Sequence, residues 1–383
     1  MKIAYLCDIS PEHIQPYSGG NARIYQALKD HVGEVDILPQ TWGAAEPVRR
    51  AIYALPDGMN LRVRWRMHLL LSKIIARSVT QALAAKHYDV VFGAYSFQSL
   101  AGLKTPYPML KAFTADASFT VYKRSEVGQS FGSSWASRKL LDPLTLRAER
   151  KIYRNLDLAL WPSDWLKQEA DTLYGLSPAQ SAVVPWGANI ETPPPEHTPL
   201  AISRGAAVSL LVVGRDWFAK GGPIAFETMQ LLRAKGLDAR LTVIGTTPPP
   251  FHTNAYVTVL SSLNKAVPEE KAQFEAAFRA AHFLVQPSFE SWGFAFCEAA
   301  AYGLPSLCMA VGGVPVRNGV SGHALAQGAS APDYAALIED YIDAPERYAN
   351  LRRSSRNDFE TRLNWDAWGQ TVEKLFTSRL KSI

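Results

Sequence analysis

The sequence has few of the features that mark secreted, membrane-spanning or nucleic-acid-binding proteins. Its 383 residues include only three cysteines, Cys7, Cys297 and Cys308, which form neither a disulfide framework nor a CxxC metal pair. No apolar run approaches the roughly 18–20 residues that cross a bilayer, and the first residues lack the long apolar core of a signal peptide. The net charge of +5 does not demand nucleic acid. We therefore expect a globular protein of the reducing cytosol.

Short apolar runs alternate with helix-like stretches along the whole chain, which predicts parallel α/β architecture. The proline-rich residues 191–205 resist packing into a core and separate two similar series of runs, so two domains are expected. The segment 61–67 alternates like a further strand. The predicted strands are Lys2–Cys7, Val35–Leu38, Val90–Ala94, Met109–Phe113, Leu158–Trp161 and Ala182–Val184, then Val208–Val213, Arg240–Ile244, Val257–Leu260, Phe283–Gln286 and Ser306–Met309.

Tandem glycines, Gly19 and Gly20, end the loop after the first predicted strand, and Asn21 is placed to cap the helix that follows. A helix N-terminus with close backbone approach suits a phosphate or a sugar oxygen. The stretch matches neither a P-loop nor a GxGxxG fingerprint, so a plain glycine-rich turn is equally compatible with it.

The segment "VGRDWFAKGG" places two cations, Arg215 and Lys220, between a buried strand and a helix start. Cations beside glycines at the end of a strand favour a polyanion such as a diphosphate. The alternative is a solvated basic loop.

The stretch "SFESWGFAFCEAAAYGLP" holds Glu290 in a strand-to-helix loop and Glu298 inside the helix, which we expect to begin near Gly293–Phe294. In the simplest alternative, Glu290 complements the helix dipole and Glu298 is exposed. The neighbours of Glu298 are small or apolar, however, and a carboxylate packed among them needs a partner. Ribose hydroxyls would serve, and so would an arginine.

Asp116 follows the predicted strand Met109–Phe113 in "AFTADASF". It is a candidate base or orienting group for a bound hydroxyl. An Asx-turn or helix cap explains the residue equally well on local grounds.

Residues 49–77 interleave seven basic side chains with aromatic and aliphatic ones. Such a segment can lie on an anionic membrane surface, although a helix packed on the sheet is the favoured interpretation.

Taken together, these motifs resemble the retaining glycosyltransferases of family four, which have the GT-B fold. The strongest match is the E-x7-E motif of Glu290 and Glu298 with its following Gly-Gly. The other matching pieces, in the family's order, are "SGG", "PSDW", "VVPWGANI", "VGRDWFAKGG", "VIGTTPP" and "NWDAW".

The resemblance implies two Rossmann-like domains facing a central cleft. Residues 1–187 would bind the acceptor, residues 188–365 would bind the nucleotide-sugar donor, and a helix at about 366–383 would cross back to the first domain.

The resemblance also implies roles for the site residues. Arg215 and Lys220 would bind the donor diphosphate, Glu298 the ribose and Glu290 the sugar. Backbone N–H groups of Gly293, Phe294 and Ala295 would assist, and Gly19 and Gly20 would approach the phosphates. Many relatives carry a histidine near position 116, and Asp116 is the substitute candidate here.

The implied function is transfer of a sugar from a nucleotide-diphosphate sugar to a hydroxyl of a glycan, glycolipid or small molecule, with retention and without a metal or other cofactor. The chain has no DxD motif, which agrees with metal independence. Two alternatives remain: a 2-epimerase-like GT-B enzyme that needs no acceptor, and a non-catalytic sugar-nucleotide-binding protein. The expected location is the cytosol, with peripheral attachment to the inner face of the membrane as a further hypothesis.

Overall fold

The chain divides into two compact units, each built on its own six-stranded parallel sheet. The computed structural model describes residues 1–14, 16–39, 41–55, 57–131, 141–195 and 200–382, without the side chains of 57–62 and 129–131. Unit 1 comprises Met1–Trp186 and Trp365–Ile383, and unit 2 comprises Gly187–Asn364. Residues 196–199 of the predicted linker lie outside the described part of the chain.

Unit 1 has the strand order β2-β1-β3-β4-β5-β6, with all neighbours parallel. The four inner strands of this sheet are buried on both faces, which explains their near-continuous apolar sequences. The strands are β1 (Lys2–Leu6), β2 (Glu34–Ile37), β3 (Val90–Ala94), β4 (Leu110–Thr114), β5 (Leu158–Trp161) and β6 (Ser181–Val183). The helices are α1 (Gly20–His31), α2 (Glu46–Tyr53), α3 (Asp57–Leu70), α4 (Ser72–Ala85), α5 (Phe119–Arg124), α6 (Asp142–Arg154) and α7 (Asp164–Tyr174).

Unit 2 has the strand order β12-β11-β10-β7-β8-β9, again parallel throughout. The strands are β7 (Val208–Val213), β8 (Ala239–Ile244), β9 (Val257–Leu260), β10 (Phe283–Gln286), β11 (Ser306–Met309) and β12 (Gly322–Leu325). The helices are α8 (Gly222–Ala234), α9 (Pro268–Ala280), α10 (Phe294–Ala301), α11 (Ala331–Ile342) and α12 (Pro345–Thr361). The last helix, α13 (Trp365–Leu380), packs in unit 1 against α1.

The predicted α/β class is confirmed, and the eleven predicted strands are shifted by no more than one residue at either end. The strand-like interpretation of 61–67 is wrong, because α3 covers that segment. Val63, Met67 and Leu71 recur every four residues and pack on one small apolar cluster around Trp42, which is a helical spacing. The sequence analysis also missed β12, a short strand at the sheet edge that is half-buried over most of its length.

The "PSDW" motif illustrates how local sequence fixes an element. The Ser163 hydroxyl accepts a hydrogen bond from the Leu166 N–H at 3.2 Å and caps α7, which ends at Gly175 in the left-handed region.

Among the described residues, every helix is too short or too polar to span a bilayer.

Candidate functional site

The loops after β7 and β10 lie side by side, because these two strands are neighbours in the sheet of unit 2. Gly221 has a φ of 73°, and a Cβ there would lie 2.4 Å from the Pro287 carbonyl oxygen. Only glycine permits that approach. The basic loop of Arg215 and Lys220 is therefore held against the loop that carries Glu290.

Lys220 and Glu290 form an ion pair through Nζ and Oε1. The Ser288 hydroxyl donates a further hydrogen bond to the same carboxylate oxygen at 2.9 Å. The main chain of Glu290 is fixed as well, because the Gly313 N–H donates to its carbonyl oxygen at 3.2 Å. With side chains 28% and 14% exposed, the pair is held in place yet open to a ligand.

Helix α10 begins at Phe294, as predicted, and Gly293 precedes it with a φ of 87°. The N-cap residue is a glycine, which has no side chain to cap the helix, and a helix N-terminus carries a partial positive charge. Gly293, Phe294 and Ala295 are all half-exposed. The geometry is suited to receive an anionic oxygen close to Glu290.

Glu298 is only 5% exposed, so the alternative of an exposed helix residue is wrong. Within the chain its charged partner is Lys265, not an arginine, and the Lys265 Nζ donates to Oε1 at 2.5 Å. Lys265 in turn lies 4.4 Å from the centre of the Phe274 ring. The sequence analysis missed Lys265, although it follows β9 in the same way that Lys220 follows β7.

Arg215 lies exposed on the loop after β7, and it forms no ion pair with any other described residue. The structure therefore brings Lys220 to Glu290 directly, while Arg215 stays on the same loop without a fixed contact. Its role toward a diphosphate stays a prediction.

In unit 1, Gly19 takes the N-cap position of α1 with a φ of 86°, so Asn21 is not the cap. Asn21 is buried instead, donates to the Ile9 carbonyl at 2.9 Å and accepts from the Tyr5 hydroxyl at 2.7 Å. The approach of Gly19 and Gly20 to a phosphate stays a prediction.

Asp116 lies half-buried in the loop after β4, as predicted. Burial and the charge of Asp116 raise the pKa of Tyr95, which follows β3. Tyr95 has a φ of 59° and stacks on Tyr17, with a φ of 54°, at 4.1 Å between ring centres. Backbone strain of this kind is concentrated at functional sites, and no sequence motif marks it here.

Comparison with known proteins confirms the resemblance found in the sequence. Residues 207–344 match the family model described as "Glycosyl transferases group 1". D-inositol 3-phosphate glycosyltransferase of Streptomyces coelicolor is 34% identical over 118 residues, which cover 30% of this chain and 25% of the relative. The Nocardiopsis dassonvillei protein of the same name is 26% identical over 76% of this chain and 69% of its own length. The chain thus spans about a quarter of the length of the Streptomyces relative.

Solved structures confirm the GT-B fold. Sucrose-phosphate synthase from Thermosynechococcus elongatus superposes with a TM-score of 0.68 at 17% identity, over 100% of this chain and 99% of that one. Anabaena HepE, solved in complex with UDP and glucose, has a TM-score of 0.60 at 14% identity over 99% and 100% of the two chains. Identities this low establish the fold alone.

Proposed function

We propose that the chain, whose residues 207–344 match the family model of group 1 glycosyl transferases, is a retaining glycosyltransferase that uses a nucleotide-diphosphate sugar and a hydroxyl acceptor. The observation that carries this proposal is the Lys220–Glu290 pair, whose glutamate lies in the loop just before α10. The pair joins a cation, a carboxylate and a helix N-terminus, which are the groups that a sugar diphosphate requires. The complex of HepE with UDP and glucose supports this class of donor.

The reaction separates charge, and unit 2 has groups for both signs. As the bond between the anomeric carbon and the diphosphate breaks, negative charge grows on the leaving oxygen and positive charge on the sugar ring. We assign Arg215, Lys220 and the start of α10 to the leaving group. Glu290 would hold the sugar hydroxyls and stabilise the ring charge.

Glu298 is assigned to the nucleotide ribose. Lys265 binds Oε1 and fixes the orientation of the carboxylate, so Oε2 is left for a ribose hydroxyl. A hydrogen bond to a charged group is worth about 1.5–3 kcal/mol, enough to discriminate ribose from deoxyribose.

Retention follows in this scheme from attack on the same face of the sugar. The acceptor oxygen bonds to the anomeric carbon while the carbon–oxygen bond to the diphosphate breaks, and the acceptor proton passes to the leaving phosphate oxygen. A glycosidase-like double displacement needs a second carboxylate about 5–5.5 Å from the first. Glu298 is assigned to the ribose, so no second carboxylate remains beside the anomeric carbon for a double displacement. Asp116 is assigned a different role, that of orienting the acceptor hydroxyl.

The protein's own cations supply the charge that a metal provides in other transferases, so we propose metal-independent transfer without a cofactor. Transfer that continues at full rate in excess EDTA supports this part, and loss of transfer that Mg²⁺ or Mn²⁺ restores contradicts it. The anomeric configuration of the product, read by proton NMR coupling constants, tests retention.

Donor turnover with and without candidate acceptors tests the function itself. Acceptor-dependent release of nucleotide diphosphate supports a transferase. An epimerised free nucleotide sugar would indicate the 2-epimerase alternative, and tight donor binding with neither transfer nor slow hydrolysis would indicate a binding protein.

Peripheral membrane attachment through residues 49–77 is a separate proposal. Leu70 and Ile74 are 74% and 38% exposed, and Lys73 and Arg77 are exposed close by in sequence. Pro56 and the side chains of 57–62 lie outside the described residues. Flotation with anionic vesicles at low salt tests the proposal, and a chain that stays unbound would contradict it.

A further inference from the structure

Gln286 and Ser288 are two buried side chains of unit 2 whose hydrogen-bond donors meet on Glu290. The Ser288 hydroxyl donates to Oε1 of Glu290 at 2.9 Å, and the Gln286 amide nitrogen donates to the same oxygen at 3.5 Å. Both residues are only 1% exposed, so they are closed to a ligand. Whatever they contribute to the site therefore passes through Glu290.

The amide of Gln286 is held in one orientation. Its Oε1 accepts from the Val213 N–H at 3.3 Å, at the end of the neighbouring strand β7. An ionised carboxylate can only accept, so the Nε2 donor is the end of the amide that faces Glu290. Gln286 thus connects Glu290 to the end of β7 across the sheet.

Ser288 is fixed through its main chain. Its N–H donates to the Gln286 carbonyl oxygen at 2.9 Å, which closes a tight turn around Pro287. The Pro287 carbonyl in turn lies against Gly221. The position of the Ser288 hydroxyl therefore does not depend on where the Lys220 side chain lies.

Lys220 is the third donor to Oε1 of Glu290, but it is also assigned to the diphosphate. When a diphosphate binds, Lys220 shares its three N–H donors between two anions, so its hold on Glu290 weakens. The two neutral donors remain. Because they are uncharged, they orient the carboxylate without cancelling the negative charge that stabilises the sugar ring.

We propose that Gln286 and Ser288 are positioning residues for transfer, which hold the Glu290 carboxylate toward the sugar while Lys220 engages the diphosphate. Since all three donors meet on Oε1, Oε2 is the oxygen assigned to the sugar hydroxyls. The inference rests on the proposed glycosyltransferase function and deepens it.

Ser288→Ala and Gln286→Met each remove one neutral donor at nearly unchanged volume. We expect kcat to fall about tenfold in each, the equivalent of one lost hydrogen bond. KM for the nucleotide sugar should stay within about twofold, and so should the Kd of the free nucleotide diphosphate, which lacks the sugar that Glu290 would contact. Steady-state rates with UDP-glucose and GDP-mannose, and calorimetric titration with UDP and GDP, measure this difference.

The double variant separates positioning from a purely structural role. Side chains that act through Glu290 cannot cost more than Glu290 itself, so the rate should fall about 10²-fold and should not drop below that of Glu290→Ala. A slower double variant, or a loss of nucleotide affinity as large as the loss of rate, would overturn the inference.

Ser321→Ala is the matched control. Ser321 is also a buried serine of unit 2, 3% exposed, and its hydroxyl accepts from the Arg317 N–H at 3.1 Å. It lies just before β12, at the amino ends of the strands and so at the opposite edge of the sheet from Glu290. Its transfer rate should equal that of the wild type.

The single variants and the wild type together separate this inference from the function on which it rests. Wild-type turnover that is unchanged in folded Ser288→Ala and Gln286→Met overturns this inference alone, and either variant suffices if the other unfolds. A wild type that neither binds nor turns over a nucleotide sugar contradicts the proposed function, and the inference falls with it.

Discussion

The two units place charge differently at the carboxyl ends of their sheets. In unit 2, each glutamate of the E-x7-E motif has its own lysine, Lys220 for Glu290 and Lys265 for Glu298. Both pairs are partly exposed, so a ligand can displace or extend them. In unit 1, Arg64 and Asp8 are nearly buried and closed on each other.

This difference supports the proposed placement of the anionic donor in unit 2. A diphosphate needs cations that are held in place yet reachable, which is the state of Lys220 at 28% side-chain exposure. Each prediction below alters one side of the comparison.

The largest effect is expected for Lys220→Ala, which removes the cation beside Glu290. Loss of one preorganised group that stabilises developing charge lowers kcat about 10²–10³-fold, so transfer should become barely detectable. Glu290→Ala should do the same, because the two side chains act as a pair. Steady-state rates of nucleotide release measure both.

Lys235→Ala is the matched control, because Lys235 pairs with Glu339 elsewhere in unit 2. Its transfer rate should equal that of the wild type. Full activity in Lys220→Ala or Glu290→Ala would overturn the assignment of the donor site.

Lys265→Met is expected to have the next largest effect. Glu298 would then be buried without its cation, and nucleotide affinity should fall about 10–100-fold. Affinity for the 2′-deoxynucleotide should fall less, so discrimination for ribose shrinks. Calorimetric titration of both nucleotides measures the ratio, and an unchanged ratio would remove Lys265 from the site.

Asp116→Asn should act on the acceptor alone. We expect kcat/KM for the acceptor to fall about tenfold, since an orienting group is weakened but not removed. The nucleotide Kd should stay within about twofold, because Asp116 lies in unit 1. A large loss of nucleotide affinity would contradict the assignment of nucleotide binding to unit 2 and acceptor binding to unit 1.

Glu149→Gln should have the smallest effect on transfer, about twofold or less, because no described contact joins it to a site residue. Glu149 is fully buried in unit 1, where Thr120 donates to it from both backbone N–H and hydroxyl. Burial raises its pKa from 4.5 to about 7, against the effect of these hydrogen bonds. The folded state therefore holds this proton more tightly than the unfolded state does.

The contribution of Glu149 to the free energy of unfolding is therefore greatest below about pH 4.5. It is lost as pH rises through about 7. Glu149→Gln should flatten that part of the pH profile of Tm. An identical profile in the variant would show that the group titrates normally.

The site of unit 2 could be predicted largely from sequence because its parts are local. Glu290 and Glu298 lie on one loop and helix, and β7 with its basic loop follows a simple strand-to-helix pattern. Lys265 escaped notice because its partner lies 33 positions away in the chain, and only the sheet brings the loop after β9 to α10.

The nearly buried Arg64–Asp8 ion pair of unit 1 could not be predicted in this way. Asp8 and Arg64 come from two separate segments, and no motif links them. Arg64 belongs to the basic segment 49–77, which the sequence analysis interpreted as a surface segment. Arg64 is buried because it lies on the inner side of helix α3. The strain at Tyr17 and Tyr95 has no sequence signature at all, since neither residue favours a positive φ.

Thermal denaturation of the full chain with UDP, GDP and ADP, and with their sugar derivatives, tests the central claim most directly. A ligand that binds only the folded state raises Tm, and at a given concentration a tighter ligand raises it more. We predict that at least one nucleotide diphosphate raises Tm in the wild type and that Lys220→Ala loses the shift while Lys235→Ala keeps it. A wild-type Tm that no nucleotide or nucleotide sugar changes would contradict a donor site in unit 2.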